Sequence, residues 1–172
     1  MSNFINIINN ANVYLDGINF VGQAGEIKLP EIEVAFEEYK ALGLVGTPSL
    51  PMGFNELEGE IEWNSFDHRA KVKIYNPYQS VQLMVRNSVE SYNSLGRVAQ
   101  MPLVTTLGVM FSKAGLGTFK SKELADMPSS FKIHSINQKM DGRELLHLDV
   151  FSNQFRVDGI DQLAQWRKNL GA

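Results

Sequence analysis

A strict period of two governs the most ordered stretches of this chain. In Asn55-Glu-Leu-Glu-Gly-Glu-Ile-Glu-Trp63, the residues Glu56, Glu58, Glu60 and Glu62 take every second position. Side chains of a β-strand alternate between two faces, so this spacing sets four carboxylates on one side. Leu57, Ile61 and Trp63 take the other side, with Gly59 between them. The segment Pro30–Glu38 repeats the design, with Glu31, Glu33 and Glu37 facing one way and Ile32, Val34 and Phe36 the other. The two acidic strands are expected to be neighbours. Carboxylates two residues apart on a strand lie about 7 Å from each other, and in water such a pair repels by roughly 0.6 kcal/mol before salt screening. A fold tolerates that repulsion. Two readings stay open from the residues alone: a solvated sheet face, or a wall that excludes an anion.

The same alternation recurs along the chain, which is therefore read as mainly β with two short α-helices. Asn12–Leu15 and Asn19–Val21 flank Asp16-Gly17, a dipeptide suited to tight hairpin turns. Ile27–Leu29 leads through Pro30 into the first acidic strand, which ends near Tyr39. Ser80–Glu90 sets Val81, Leu83, Val85 and Val89 against Gln82, Met84, Arg86 and Ser88. Leu103–Phe111 and Phe131–Lys139 are further strands, and Asp141-Gly142 turns the second of them into Glu144–Val150. Helices are expected at Phe66–Tyr75, ended by Asn76-Pro77, and at Ile160–Asn169, capped by Gly171.

Between the acidic strands, Ala41–Phe54 holds three glycines and two prolines and has no periodicity. A connection this long inside a small domain usually has a function. Its Leu42, Leu44, Val45, Leu50, Met52 and Phe54 are too apolar for a solvated loop. Burial against another subunit is the expectation.

Composition narrows the function further. At 172 residues, with 44% hydrophobic and 20% charged residues, the chain suits one domain spanning 1–172. A formal net charge of -3 argues against a nucleic-acid binder. Zero cysteines exclude disulfides, thiolate zinc sites and a cysteine nucleophile, in keeping with folding in a reducing cytosol. No apolar run approaches the ~20 residues that span a bilayer, so no membrane anchor is expected. Met1–Ala11 lacks the cation of an export signal. His68, His134 and His147 sit in separate segments without metal-ligand spacing, and no phosphate-cradling glycine motif is present. A uniform row of glutamates also lacks the two unlike environments that carboxylate catalysis needs. No catalytic, cofactor or metal residue is assigned, and a carboxylate hydrolase or a carbohydrate-binding β-sandwich is the lesser reading. Lys113, Lys120 and Lys122 form a small basic cluster, either solvated or set against an acidic neighbour.

The C-terminal third carries a family pattern. Met140-Asp-Gly-Arg-Glu-Leu145, His147-Leu-Asp149, Val157-Asp-Gly-Ile-Asp-Gln-Leu163 and Arg167-Lys-Asn-Leu-Gly171 together resemble the major tail tube proteins of contractile-tailed phages. Upstream, Asn12-Val-Tyr-Leu-Asp-Gly17 is similar to that family's opening hairpin, and Leu29-Pro30 through Glu38-Tyr-Lys40 to its next segment. The glycine-rich stretch 41–54 and the strand ending in Glu62-Trp63 match in order, while Ser80–Gln100 matches poorly.

The resemblance implies a non-enzymatic building block of a virion tail, assembled in the host bacterial cytoplasm. Its fold would be a tail-tube-type β-barrel or sandwich that joins a hexameric ring barrel, with rings stacking into a tube inside a contractile sheath. It implies as partners the sheath protein, a tape-measure protein and baseplate or terminator proteins, with DNA passing through without specific binding. The alternatives within the resemblance are a headless tail-like bacteriocin and a type VI-like secretion tube. On this reading Glu31, Glu33, Glu37, Glu56, Glu58, Glu60 and Glu62 face the lumen. The 41–54 loop bridges subunits, 1–10 forms an N-terminal arm that contacts neighbours, and 160–169 is a C-terminal helix.

Overall fold

The computed structural model describes residues 4–171. The chain opens with β1 (Ile5–Leu15), β2 (Ile18–Asn19) and β3 (Ala24–Lys28), followed by β4 (Val34–Glu38), β5 (Ser49–Phe54) and β6 (Leu57–Trp63). The short helix α1 (His68–Ile74) precedes three long strands, β7 (Val81–Asn93), β8 (Gly96–Ala114) and β9 (Met127–Met140). The chain then forms β10 (Arg143–Asp149), β11 (Gln154–Val157), β12 (Ile160–Asp161) and α2 (Ala164–Leu170). The mainly-β reading with two short helices holds.

The long strands organise everything else. β7, β8 and β9 form an antiparallel meander, with β1 paired outside β7. One edge of β9 follows β8. Its other edge is shared, Met127–Ile133 pairing with β6 and Ser135–Met140 with β10. Beyond β6 lies β3, and backbone bonds from the amides of Phe20, Gln23 and Asn64 to the carbonyls of Val13, Phe20 and Gln23 link β1, β2, β3 and β6 around the curl. The sheet thus rolls around one core in which Leu15, Phe20, Ile61, Trp63, Leu83, Leu107 and Phe131 are all buried. Edge-to-face ring pairs at 5.5 Å (Phe20 and Trp63) and 5.7 Å (Phe111 and Phe131) fill its centre. Ala70 and Ile74 of α1 join that core, and the buried ammonium of Lys71 donates to the carbonyl of Gly115. The other halves of the long strands run on as an open sheet toward β10, β11 and β12.

Local chemistry explains the strands. In β7, Val81, Leu83, Val85 and Val89 are buried while Gln82 and Arg86 are exposed, as the alternation requires. Asp16-Gly17, Asp141-Gly142 and Asp158-Gly159 each place two consecutive residues at positive φ, between 46° and 79°. Tight hairpins demand that backbone, and an Asp-Gly pair supplies it at least strain.

Several boundaries differ from those expected. The first acidic strand, expected from Pro30 to near Tyr39, is β4, and it pairs with β5 in a separate two-stranded sheet. It is not a neighbour of β6. The stretch 41–54 is therefore half strand, since Ser49–Phe54 pairs with Val34–Glu38 across Pro51 and Gly53. Residues 5–10 of the expected arm lie in β1, where Ile5–Asn9 pair with Ser88–Tyr92, and Met1–Asn3 lie outside the described residues. The first helix begins at His68, because the Asp67 carboxylate accepts the Arg69 amide at 2.8 Å and caps it there. The second begins at Ala164 rather than 160, since Ile160–Asp161 is spent on pairing with Arg156–Val157.

Candidate functional site

Three surface features stand out: a charged sheet face, an apolar arm and a groove. On β6, Leu57, Gly59, Ile61 and Trp63 are buried, while Glu58, Glu60 and Glu62 are exposed. Glu56 is exposed just ahead of the strand. The four carboxylates share one face, as the spacing predicts. What the spacing does not reveal is the company they keep. In the register of the sheet, Lys132 of β9 lies opposite Glu58, and Lys28 of β3 opposite Glu60. The Lys132 ammonium sits 3.0 Å from Glu56 and 2.9 Å from Glu58, and the Ser130 hydroxyl donates to Glu60 at 3.3 Å. The hydrogen bond and charge of Lys132 hold the Glu58 carboxyl below the usual carboxylate range, with Lys28 and Lys113 adding to the effect. The two carboxylates in turn raise Lys132. The face is therefore an interleaved array of acids and bases with acids in excess.

Glu31 and Glu33 precede β4 and Glu37 lies within it, all three exposed on the separate hairpin. The structure does not bring them beside the β6 row. That hairpin is an arm with almost no buried surface. Ile32, Phe36, Leu42, Leu44, Val45, Leu50 and Met52 are all exposed. Only at its base does Phe54 turn inward, packing edge-to-face on Phe155 at 4.8 Å. Covering a large aliphatic or aromatic side chain is worth about 1.5–3 kcal/mol, so the arm forgoes several such contributions in the free chain. Phe4, Ile5, Ile7 and Ile8 at the start of the chain are likewise exposed. They flank an open edge, because β2 pairs with β1 only at Tyr14 and Leu15. Uncovered apolar surface and open strand edges are characteristic of interaction sites.

The groove lies where the shared edge of β9 passes from β6 to β10. Its volume is about 790 Å³, and it runs between the base of the arm and α2. Sequence reading missed it, since its walls come from segments far apart along the chain.

Beyond it, a polar network ties down the C-terminal strands. Arg156 forms a two-pronged pair with Glu144 at 2.9 and 3.1 Å, and Asn137 donates to the same carboxylate at 3.0 Å. The Arg156 guanidinium is the first cause holding the Glu144 carboxyl at about 2. Arg167 of α2 pairs with Asp161, and Arg143 with Asp158. The histidines do not gather: His134 bonds Ser80 at 2.6 Å, and His147 contacts Asn137 at 3.0 Å.

Fold and surfaces together define a β-sheet building block whose uncovered apolar arm and open edges suit contact with other chains. The model of the phage tail tube protein FII family matches residues 5–171, and the chain belongs to that family. The family is one of structural phage tail tube proteins, so the chain is a virion tail component and not an enzyme. It is 24% identical over 166 residues to the tail tube protein of Escherichia phage P2, an alignment covering 93% of this chain and 94% of that one. Its fold is similar to a chain in the extended sheath–tube complex of an extracellular contractile injection system, PVC. There the TM-score is 0.55 at 9% identity, over 75% of this chain and 87% of the other. A chain of the extended sheath/tube terminator of that system gives 0.54 at 10% identity, over 75% and 92%.

Proposed function

We propose that copies of this chain close into hexameric rings and that the rings stack into the inner tube of a contractile tail, the conduit for DNA. The observation that carries this reading is the division of the molecule into a rolled half with a filled core and a remainder left uncovered. A closed ring covers such edges. Heterologous contacts close the ring by rotation, and stacking then gives an open polymer. The N-terminal edge of β1 and the arm residues Leu42, Leu44, Val45, Leu50 and Met52 make the contacts between subunits. Phe54 braces the arm from within.

In this reading the β6 face lines the lumen, so that Glu56, Glu58, Glu60 and Glu62 meet the passing DNA. Phosphate binding rests on free cationic contacts. Lys132, held between Glu56 and Glu58, offers a phosphate little. The wall thus remains anionic without being a uniform sheet of repelling charge. Glu31, Glu33 and Glu37 belong to the arm, and the proposed wall rests on the β6 set. The sheath protein, the tape-measure protein and the baseplate or terminator proteins are the proposed partners, assembled in the host cytoplasm. The similarity to chains of sheath–tube and terminator complexes supports the first and last of these.

Reconstruction by electron cryo-microscopy of polymers grown from the purified chain tests both levels. Six-fold rings with the β6 face inward are expected. The same rings with Glu58 and Glu60 on the outer wall end the lumen assignment and leave the tube intact. A chain that stays monomeric even when seeded with tail baseplates ends the ring reading.

A further inference from the structure

We propose that the groove at the fork of the main sheet is the receptor for the arm tip, Leu42–Val45, of a second copy of this chain. The inference rests on the reading of the arm as an inter-subunit contact and gives that contact its other half. At the fork, β6 runs off toward the arm and β10 toward the turn after Asp149, leaving a cleft floored by Ile133 and Leu148. Met52 and Phe54 form one wall, Leu163 and Trp166 the other. Trp166 stands on a helix that buries none of its residues, so its indole is held up at the side of an unfilled cleft.

The tip does not seat on its own groove. Leu42 and Val45 have relative exposures of 104% and 110%, so nothing among the described residues of their own chain covers them. The arm's construction keeps them away. Pairing from Val34 and Phe54 to Glu38 and Ser49, closed by the Tyr39 amide on the Pro48 carbonyl, holds the arm extended. The six residues of β5 alone span roughly 16 Å. Tip and groove therefore sit at opposite ends of one element, and in a stacked tube their union is heterologous, each copy giving its tip to one neighbour and receiving the tip of another.

Chemistry points to this occupant over the exposed start of β1 and over the loop carrying Leu116, Phe119 and Leu124, whose Lys120, Lys122 and Glu123 would bring charge into the cleft. Ala41–Thr47 carries no charge. The groove's charged groups, Glu56, Lys132 and Asp149, belong to its lining, and Lys132 and Glu56 already pair with each other. An uncharged apolar plug brings no new charge into the cleft. Ile7 and Ile8 of β1, by contrast, point to opposite faces of a paired strand and do not enter a cleft together.

The absence of cysteine makes the test direct. In polymers of the double variant Leu44→Cys with Gln154→Cys, mild oxidation is expected to give a ladder of linked copies on a non-reducing gel. Each single variant, with only one thiol at the contact, is expected to stay unlinked. Trp166→Asp and Val45→Asp, both at positions exposed in the free chain, are expected to cut polymer yield at least tenfold while leaving the denaturant midpoint of the free chain unchanged. Tubes of normal yield that carry neither the cross-link nor the Trp166→Asp defect overturn the receptor assignment while the tube reading stands. A wild-type chain that forms no polymer even when seeded with tail baseplates overturns the underlying reading, and the receptor with it.

Discussion

Gly59 shows how tightly the glutamate strand is built into the fold. A Cβ at this position lies 2.6 Å from the Phe131 ring and 2.7 Å from the Lys28 carbonyl. One obstacle is a core ring and the other is backbone of the adjoining strand, so neither yields cheaply. Gly59→Ala is predicted to destabilise the free chain by about 1–3 kcal/mol, as overpacking does, although alanine suits a strand better than glycine. Denaturant unfolding of the monomer measures it. Gly46, with nothing within 4 Å of its Cβ position, supplies the comparison: Gly46→Ala is expected to stay within about 0.5 kcal/mol. At this scale the sequence was only partly legible. The four exposed glutamates follow from period two, because the pleat itself enforces that period. Lys132 does not, since it reaches Glu58 across 74 positions of sequence and only the sheet register joins them.

Among the elements, the C-terminal strands and α2 depend most visibly on charge. Glu144 with Arg156, Asp161 with Arg167 and Asp158 with Arg143 link β10, β11, β12 and α2. Hydrogen bonding to arginine lowers all three carboxyls, Glu144 to about 2. A carboxyl whose folded pKa is depressed contributes stability that is present above its unfolded value and is lost as pH falls through the folded one. The segment is therefore predicted to loosen between about pH 4.3 and the Glu144 value of about 2, while the apolar core persists. Hydrogen exchange should show amides of β11 and α2 losing protection in that window before those of β8. Glu144→Gln should loosen the segment already at neutral pH and flatten its acid response. Uniform loss of protection across both regions argues against a separate acid-labile segment. Legibility here was uneven for a physical reason. The three Asp-Gly turns announce themselves through local backbone chemistry, yet β11 and β12 are too short to show a period. Ile160 and Asp161 of β12 also read equally well as the first turn of the helix. The arm escaped for the converse reason, since Pro51 and Gly53 mask β5 and neither face of it is buried in the free chain.

For the molecule as a whole, the decisive property is that folding and assembly draw on separate residues. The core contains none of Tyr39–Pro48, and the two-stranded arm shares no ladder with the ten-stranded sheet. Replacing Tyr39–Pro48 by Asn-Gly joins Glu38 to Ser49 through the two-residue turn that such hairpins favour. The shortened chain is predicted to unfold within about 0.5 kcal/mol of the parent, as expected for changes outside the core. Sedimentation should show it as a monomer or a lone ring at concentrations where the parent forms long polymers. Long polymers from the shortened chain would assign the axial contact to the β1 and β3 edges and leave the arm without a structural task. Loss of folding together with assembly would mean that the arm supports the core, which its exposure on both faces contradicts. The mainly-β class, the hairpins and the alternation of β7 were legible because each arises within a few residues. The partition between a self-sufficient core and an uncovered arm was not, because it becomes visible only once the sheet has closed on one and left the other outside.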